Sequence, residues 1–178
     1  MSVVFANEIA AVCEHVGADG QEVASGLKTD QRIGKKAYLS PGPAFSGGTL
    51  ARDINYLNAI SREAKLGSKI FLAVRNGNIE HRRWVKKQIE KATKYVKEPR
   101  ITIWGLTYKQ GTDTLRRSEM VDLIRWLSGK GLVPTVYEPN LTVLPSFVKK
   151  LVNHESDPIE SVKNQNILVI GNANSLFH

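Results

Sequence analysis

Apolar residues recur at helical spacing through the first part of the chain. Between Val3 and Val16, the positions Val4, Ile9, Val12, Cys13 and Val16 alternate with Glu8 and Glu14, which predicts an amphipathic helix. Gly17 is a natural stop, and Asp19 can cap a short second helix carrying Val23 and Leu27. Periodicity then disappears from Lys28 to Gly48. The stretch Tyr38-Leu-Ser-Pro-Gly-Pro-Ala-Phe-Ser-Gly-Gly48 holds two prolines and three glycines and is expected to be loop. A loop of that length points to function. Helical spacing returns at Thr49, the expected cap of a helix with Leu50, Ile54, Leu57 and Ile60 that ends near Gly67. A further helix begins near Ser68, with a bend expected at Gly77. Its second half keeps Val85, Ile89, Ala92 and Val96 on one face. Residues 1–97 therefore read as all-helical around one long loop.

Beyond Pro99 the pattern changes. Ile101-Thr-Ile-Trp104 is a short β-branched strand closed by Gly105, and a polar loop runs to about Arg117. A helix with Val121, Leu123, Ile124, Trp126 and Leu127 ends at the Gly129–Gly131 turn. Leu132 to Tyr137 predicts a second strand, stopped by Glu138-Pro139. Helical pieces near Leu144–Val152 and Pro158–Val162 lead to a third strand, Ile167-Leu-Val-Ile170. Strand and helix in strict alternation predict parallel strands with right-handed crossovers, a half Rossmann unit. The fold class is α/β: an all-helical domain over 1–97, then a partial Rossmann-like parallel-sheet domain over 98–178.

Composition narrows the class. The 178 residues are 42% hydrophobic and 24% charged, those of a soluble globular chain rather than a disordered one. No apolar run reaches the ~18 residues that a membrane span needs, and no signal-peptide pattern opens the chain. One cysteine, Cys13, excludes an internal disulfide and a Cys-rich zinc site. These features lead to the expectation of a cytoplasmic protein without membrane contact. The net charge of +8 is uneven: residues 1–97 carry sixteen cations against nine acids, whereas residues 98–178 carry nine against eight. The excess peaks at Arg82, Arg83, Lys86, Lys87, Lys91, Lys94 and Lys97, which face one acid, Glu90. Such a stretch is either a solvated helix face or a surface for phosphate groups.

Candidate chemistry is sparse. After Ile101–Trp104 the turn reads Gly105-Leu-Thr-Tyr-Lys109, with one glycine where the dinucleotide fingerprint requires three. Lys109, Thr112 and Arg116 lie beyond the C-terminal end of that strand, the side on which open α/β sheets bind ligands. They suit a phosphate grip or ordinary surface polarity. Cys13 sits beside Val12 and Val16 and reads as a small core residue. His15, His81, His154 and His178 show no metal-ligand spacing, so no metal is expected.

Several ordered motifs carry a resemblance. Asn7-Glu-Ile-Ala-Ala-Val-Cys-Glu14, Gly17-Ala-Asp19, Asp30-Gln-Arg-Ile-Gly34 and Pro41-Gly-Pro-Ala-Phe-Ser-Gly-Gly48 with Arg52-Asp53 resemble the central helical domain of the UDP-glucose/GDP-mannose dehydrogenase family. Gly105-Leu-Thr-Tyr-Lys-Gln-Gly-Thr-Asp-Thr-Leu-Arg-Arg-Ser118 and Val136-Tyr-Glu-Pro139 resemble the opening of that family's UDP-binding domain. The likeness runs in register across essentially the whole chain. It implies a helical dimerisation domain, a homodimer, and a UDP- or GDP-sugar as partner. Family enzymes oxidise the sugar's primary alcohol to a carboxylate in two NAD-dependent steps, through a thioester on a cysteine.

The resemblance also assigns positions. The family cysteine falls on Thr49, its lysine on Arg52 and its aspartate on Asp53. A threonine hydroxyl has a far higher pKa than a thiol, so thiohemiacetal chemistry is expected to fail here. Arg32 resembles the arginine that reaches the neighbouring subunit's nucleotide sugar. Tyr38, Ser40, Gly42, Phe45 and Gly47 fall on the loop along the substrate, with Ser40 where many relatives carry a basic residue. Lys109 and Arg116 match the basic residues of the Lys-x-Gly-Thr-Asp-x-x-Arg-type loop. NAD is implied only through a domain absent from this chain, with the assisting lysine and asparagine upstream of it.

Three functional readings follow. The first is a portion of a nucleotide-sugar dehydrogenase-like oxidoreductase that supplies substrate-binding and dimer surfaces. The second is a degenerate, non-catalytic binding or interaction module, for which Thr49 is the best evidence. The third is a nucleic-acid binder using the Arg82–Lys97 helix, a reading weakened by the lack of an aromatic stacking platform or a docking motif.

Overall fold

The structure, a computed structural model, describes residues 1–45, 49–108 and 111–177. Helix α1 spans Ser2–Val16 and stops where Gly17 takes a left-handed conformation, φ 75°, its N–H returning to the Cys13 carbonyl. Helix α2, Gly20–Leu27, starts on Asp19, whose Oδ1 accepts from the Gln21 and Glu22 amides at 2.7 and 3.3 Å. Helices α3 (Leu50–Glu63) and α4 (Lys69–His81) follow the loop. Thr49 occupies the N-cap position of α3, but its side chain makes no capping bond, so the expected cap does not form.

The apolar positions of α1 divide into two stripes rather than one. Val4, Ala6 and Cys13 are buried, whereas Phe5, Val12 and Val16 point outward, Val12 and Val16 being 60% and 66% exposed. Helix α4 runs through Gly77 without the expected bend. A Cβ there would stand 2.6 Å from Val4 Cγ1 and 2.7 Å from Glu8 Oε1. The glycine thus serves close approach of α4 to α1, not flexibility. The break falls instead at Arg82 and Arg83, before α5 (Trp84–Thr93).

Two compact units result, Met1–Trp84 and Val85–His178. The division precedes the boundary read near 97–100, because Ile89 of α5 is buried in the same cluster as Ile101, Ile103, Leu123 and Leu127, with Val85 packed against it. The second unit is a four-stranded parallel sheet of β1 (Ile101–Trp104), β2 (Thr135–Tyr137), β3 (Asn153–His154) and β4 (Ile167–Ile170), in the order β3-β2-β1-β4. The register pairs Ile103 with Val136 on one side and with Val169 on the other. Helix α6 (Glu119–Gly129) begins on Ser118, whose Oγ accepts from the Met120 and Val121 amides, and it buries Leu123, Ile124 and Leu127.

Strand β2 is shorter than the expected Leu132–Tyr137. Pro134 has no N–H for a ladder, though its carbonyl accepts from Asn153 at 3.0 Å. The helical piece expected over Leu144–Val152 contracts to α7, Ser146–Lys149, while α8 covers Pro158–Val162 as expected. A 3₁₀ turn, Ser175–Phe177, closes an aromatic group with Trp104 and Tyr137. The chain is therefore mixed α/β, helical first and partial Rossmann-like second. Among the described residues no helix is long and apolar enough to cross a membrane.

Candidate functional site

Between α2 and α3, backbone turns bond the amides of Ile33, Gly34, Ala37 and Leu39, whereas at Gly42 and Phe45 side chains satisfy the backbone. The Gly42 amide donates to Asn7 Oδ1 and the Gly42 carbonyl accepts from His81 Nε2, both at 2.9 Å. The Phe45 amide donates to Asn78 Oδ1 while Asn78 Nδ2 donates to the Phe45 carbonyl, again both at 2.9 Å. Asn7 and Asn78 are 2% and 5% exposed. Ala44, between the two anchored residues, is buried. The site's loop is thus fixed at two points by α1 and α4.

Around it lie the other positions singled out from the sequence. Ser40 Oγ accepts from Lys28 Nζ at 3.1 Å, so a cation stands at Ser40 although the residue itself carries none. Tyr38 is 70% exposed. Arg32 donates from Nε and Nη2 to the two Asp30 carboxylate oxygens at 3.0 and 2.6 Å. The guanidinium and the Arg32 amide hold the Asp30 carboxyl below its usual range, and Asp30 in turn raises the Arg32 pKa. In the first turn of α3, Arg52 Nη2 meets Asp53 Oδ1 at 2.8 Å. Asp53 is thereby committed to Arg52. Gly47 lies outside the described residues, as does Lys109.

In the second unit the turn after β1 is built around a buried carboxylate. Glu138, 3% exposed at the end of β2, accepts with Oε2 from the Leu106 and Thr107 amides at 2.6 and 2.9 Å. Its Oε1 accepts from the Asn140 amide at 2.9 Å. Ser118 Oγ donates to the Leu106 carbonyl at 2.6 Å. Asn172, after β4, donates from Nδ2 to Thr107, and a Cβ on Gly105, φ 82°, would meet its amide at 2.9 Å. This geometry bears on dinucleotide binding. The two amides that follow Gly105, where a pyrophosphate would be cradled, are already taken by the Glu138 carboxylate. The turn does not fit NAD by that mode.

Arg116 is exposed beside a groove of about 790 Å³, which Arg117, Arg125, Asp122 and Phe147 also line. Arg125 pairs with Asp122 at 3.3 Å. On the basic helix, Glu90 is engaged by Lys130 at 2.9 Å, and Lys86 and Lys130 lie 5.8 and 4.8 Å from the Trp126 ring centre. Both lysines thus lie against the Trp126 ring. No cluster of three His, Cys, Asp or Glu side chains suited to a metal occurs among the described residues. Sequence reasoning missed Asn78, Lys28 and the buried role of Glu138, and it noted Asn7 and His81 without a task.

Comparison with known proteins follows the same division. Residues 1–80 match the model of the UDP-glucose/GDP-mannose dehydrogenase family, central domain, and residues 102–178 match that family's UDP binding domain. The chain is 37% identical over 138 residues to a UDP-glucose 6-dehydrogenase of Rickettsia bellii (strain RML369-C), covering 77% of this chain and 32% of that protein. It is 32% identical over 181 residues to the one of Rickettsia prowazekii (strain Madrid E), covering 98% and 41%. The chain thus spans about a third to two-fifths of the length of these curated relatives. Its fold is similar to that of a UDP-glucose dehydrogenase from the archaeon Pyrobaculum islandicum, with a TM-score of 0.85 at 24% identity over 99% of this chain and 41% of that one.

Proposed function

The chain belongs to the UDP-glucose/GDP-mannose dehydrogenase family, and from that premise we propose that it supplies the nucleotide-sugar-binding and dimerisation surfaces of such an oxidoreductase. The observation that carries the proposal is the Gly42–Phe45 loop, anchored by side chains of two helices, at positions that the family resemblance assigns to the substrate loop. Lys28 beside Ser40 adds a positive charge for a phosphate, and Tyr38 offers an exposed aromatic surface. By the family resemblance, Arg32 in the first unit and Lys109 and Arg116 in the second are each cations suited to phosphate. The outward stripe of α1, Phe5, Val12 and Val16, recurs at i, i+7 and i+11 and seats a second copy of the chain.

Catalysis through a covalent thioester is not part of this role. Thr49 replaces the nucleophile, its side chain makes no hydrogen bond at the helix start, and Asp53 is held by Arg52. A threonine hydroxyl has a far higher pKa than a thiol and is a much weaker nucleophile at neutral pH. NAD, which the family uses in oxidation, is given no site by the Gly105 turn. The chain's own residues bind and orient the nucleotide sugar.

A ligand panel tests the proposal. Melting the chain with UDP-glucose, GDP-mannose, UDP or NAD reads binding as a rise in stability, about 2.7 kcal/mol at a hundredfold excess over Kd. Stabilisation by one nucleotide sugar and none by NAD is the expected result. No stabilisation by either sugar nucleotide refutes it.

A further inference from the structure

All four polar backbone groups of Gly42 and Phe45 are bonded by just three side chains, Asn7, Asn78 and His81. Asn7 and Asn78 are buried, so withdrawing the loop leaves the Asn7 Oδ1 atom and both polar atoms of the Asn78 amide unpaired away from water, a costly state. Asn78 and His81 stand at i and i+3 and therefore share one face of α4. Gly77, next to them, admits α1 so closely that a Cβ would strike Val4, which brings Asn7 to the same loop. Neither helix needs these bonds for its own backbone.

We propose that Asn7, Asn78 and His81 are positioning residues that lock the Gly42–Phe45 loop in its ligand-ready form before any ligand arrives, so that the helix pair sets nucleotide-sugar affinity. The inference rests on the reading that this loop lies along the nucleotide sugar. Pre-organisation removes the ordering cost from the binding step. Each of the three bonds the loop backbone and acts through it.

The test uses amide hydrogen exchange of the full chain, read at Gly42 and Phe45, with UDP-glucose and GDP-mannose titrations alongside. His81 is only half-buried, so His81→Ala can be made without opening the core. Asn78→Asp keeps the acceptor for the Phe45 amide but sets an oxygen against the Phe45 carbonyl. In the ligand-free wild type both amides exchange slowly. Both variants accelerate them at least about tenfold, and where exchange reaches the unprotected rate of an open loop the nucleotide sugar weakens by the factor to which the closed fraction has fallen. His81→Gln, which retains an N–H donor, restores both readouts; a residue needed only for bulk packing would not show this rescue. Unchanged exchange in His81→Ala overturns the proposal, as does exchange at the unprotected rate with unaltered affinity. Should the wild type bind no nucleotide sugar, the functional reading fails while exchange still decides the lock: fast exchange in the unmodified chain overturns it, and slow exchange released by His81→Ala supports it.

Discussion

Replacing Glu138 by glutamine removes one charge and turns one acceptor into a donor while preserving shape. The carboxylate receives three amides, two on Oε2 and one on Oε1. A glutamine oxygen can serve one side only. If it stays with Leu106 and Thr107, the Nε2 group faces the Asn140 N–H and that donor is orphaned, at about 1–3 kcal/mol. The two surviving bonds fall from charge-assisted to neutral strength, costing about 1 kcal/mol each. An amide is cheaper to bury than a carboxylate, which offsets part of the sum. The net expectation is a loss of about 3 kcal/mol, confined to the second unit. With an m-value of about 1.5 kcal/mol/M, the urea midpoint falls by about 2 M. Tryptophan fluorescence in a Trp84→Phe background, which leaves Trp104 and Trp126 as reporters, isolates that unit's transition. Glu138→Ala, which orphans all three donors, should cost more than Glu138→Gln. A Glu138→Gln variant within about 0.5 kcal/mol of wild type, the spread of an ordinary surface change, would refute the assignment of Glu138 as the scaffold of the Gly105–Thr107 turn.

Gly171→Ala should destabilise the same unit by about 3 kcal/mol in the same melt, because its Cβ would lie 2.3 Å from the Gly105 carbonyl oxygen and 2.4 Å from Met120 Cγ. Val12→Glu with Val16→Glu should leave the helical unit folded and convert the expected dimer to monomer in sedimentation velocity; a double variant that still dimerises removes this stripe from the interface. For Asp30, carbon-detected titration should place the carboxyl below the ordinary value of about 3.9, since Arg32 favours its charged form. The pair is then complete at neutral pH and is lost only as pH falls through that lowered value. Arg32→Ala should return Asp30 to the ordinary range.

What could be read in the sequence follows from how local the cause is. Asp19 and Ser118 lie two and three residues from the amides they cap, and Gly17 ends its helix by its own conformation. Strands β1 and β4 are β-branched or aliphatic runs with adjacent stops. Strand β3 was invisible because Asn153 and His154 are exposed polar residues held only by backbone pairing to β2. Gly77 signals flexibility in isolation, and only the proximity of Val4 reveals that it serves contact. The loop's anchors lie 33 to 39 residues away in sequence. A buried asparagine is indistinguishable from an exposed one until the fold brings its partner. Glu138 reads as a strand terminator, yet it bonds amides 31 and 32 residues earlier. Motif resemblance located the loop and the Gly105 turn, but not the residues that hold them.

Calorimetric titration of the purified chain with UDP-glucose and with GDP-mannose, repeated on Arg116→Ala, decides whether the chain binds a nucleotide sugar. Saturable heat is expected from one of the two nucleotide sugars, with at least about tenfold weaker binding once the cation is removed, the loss of one charge-assisted phosphate contact. No heat from either sugar nucleotide, with the chain shown to be folded, would contradict that expectation.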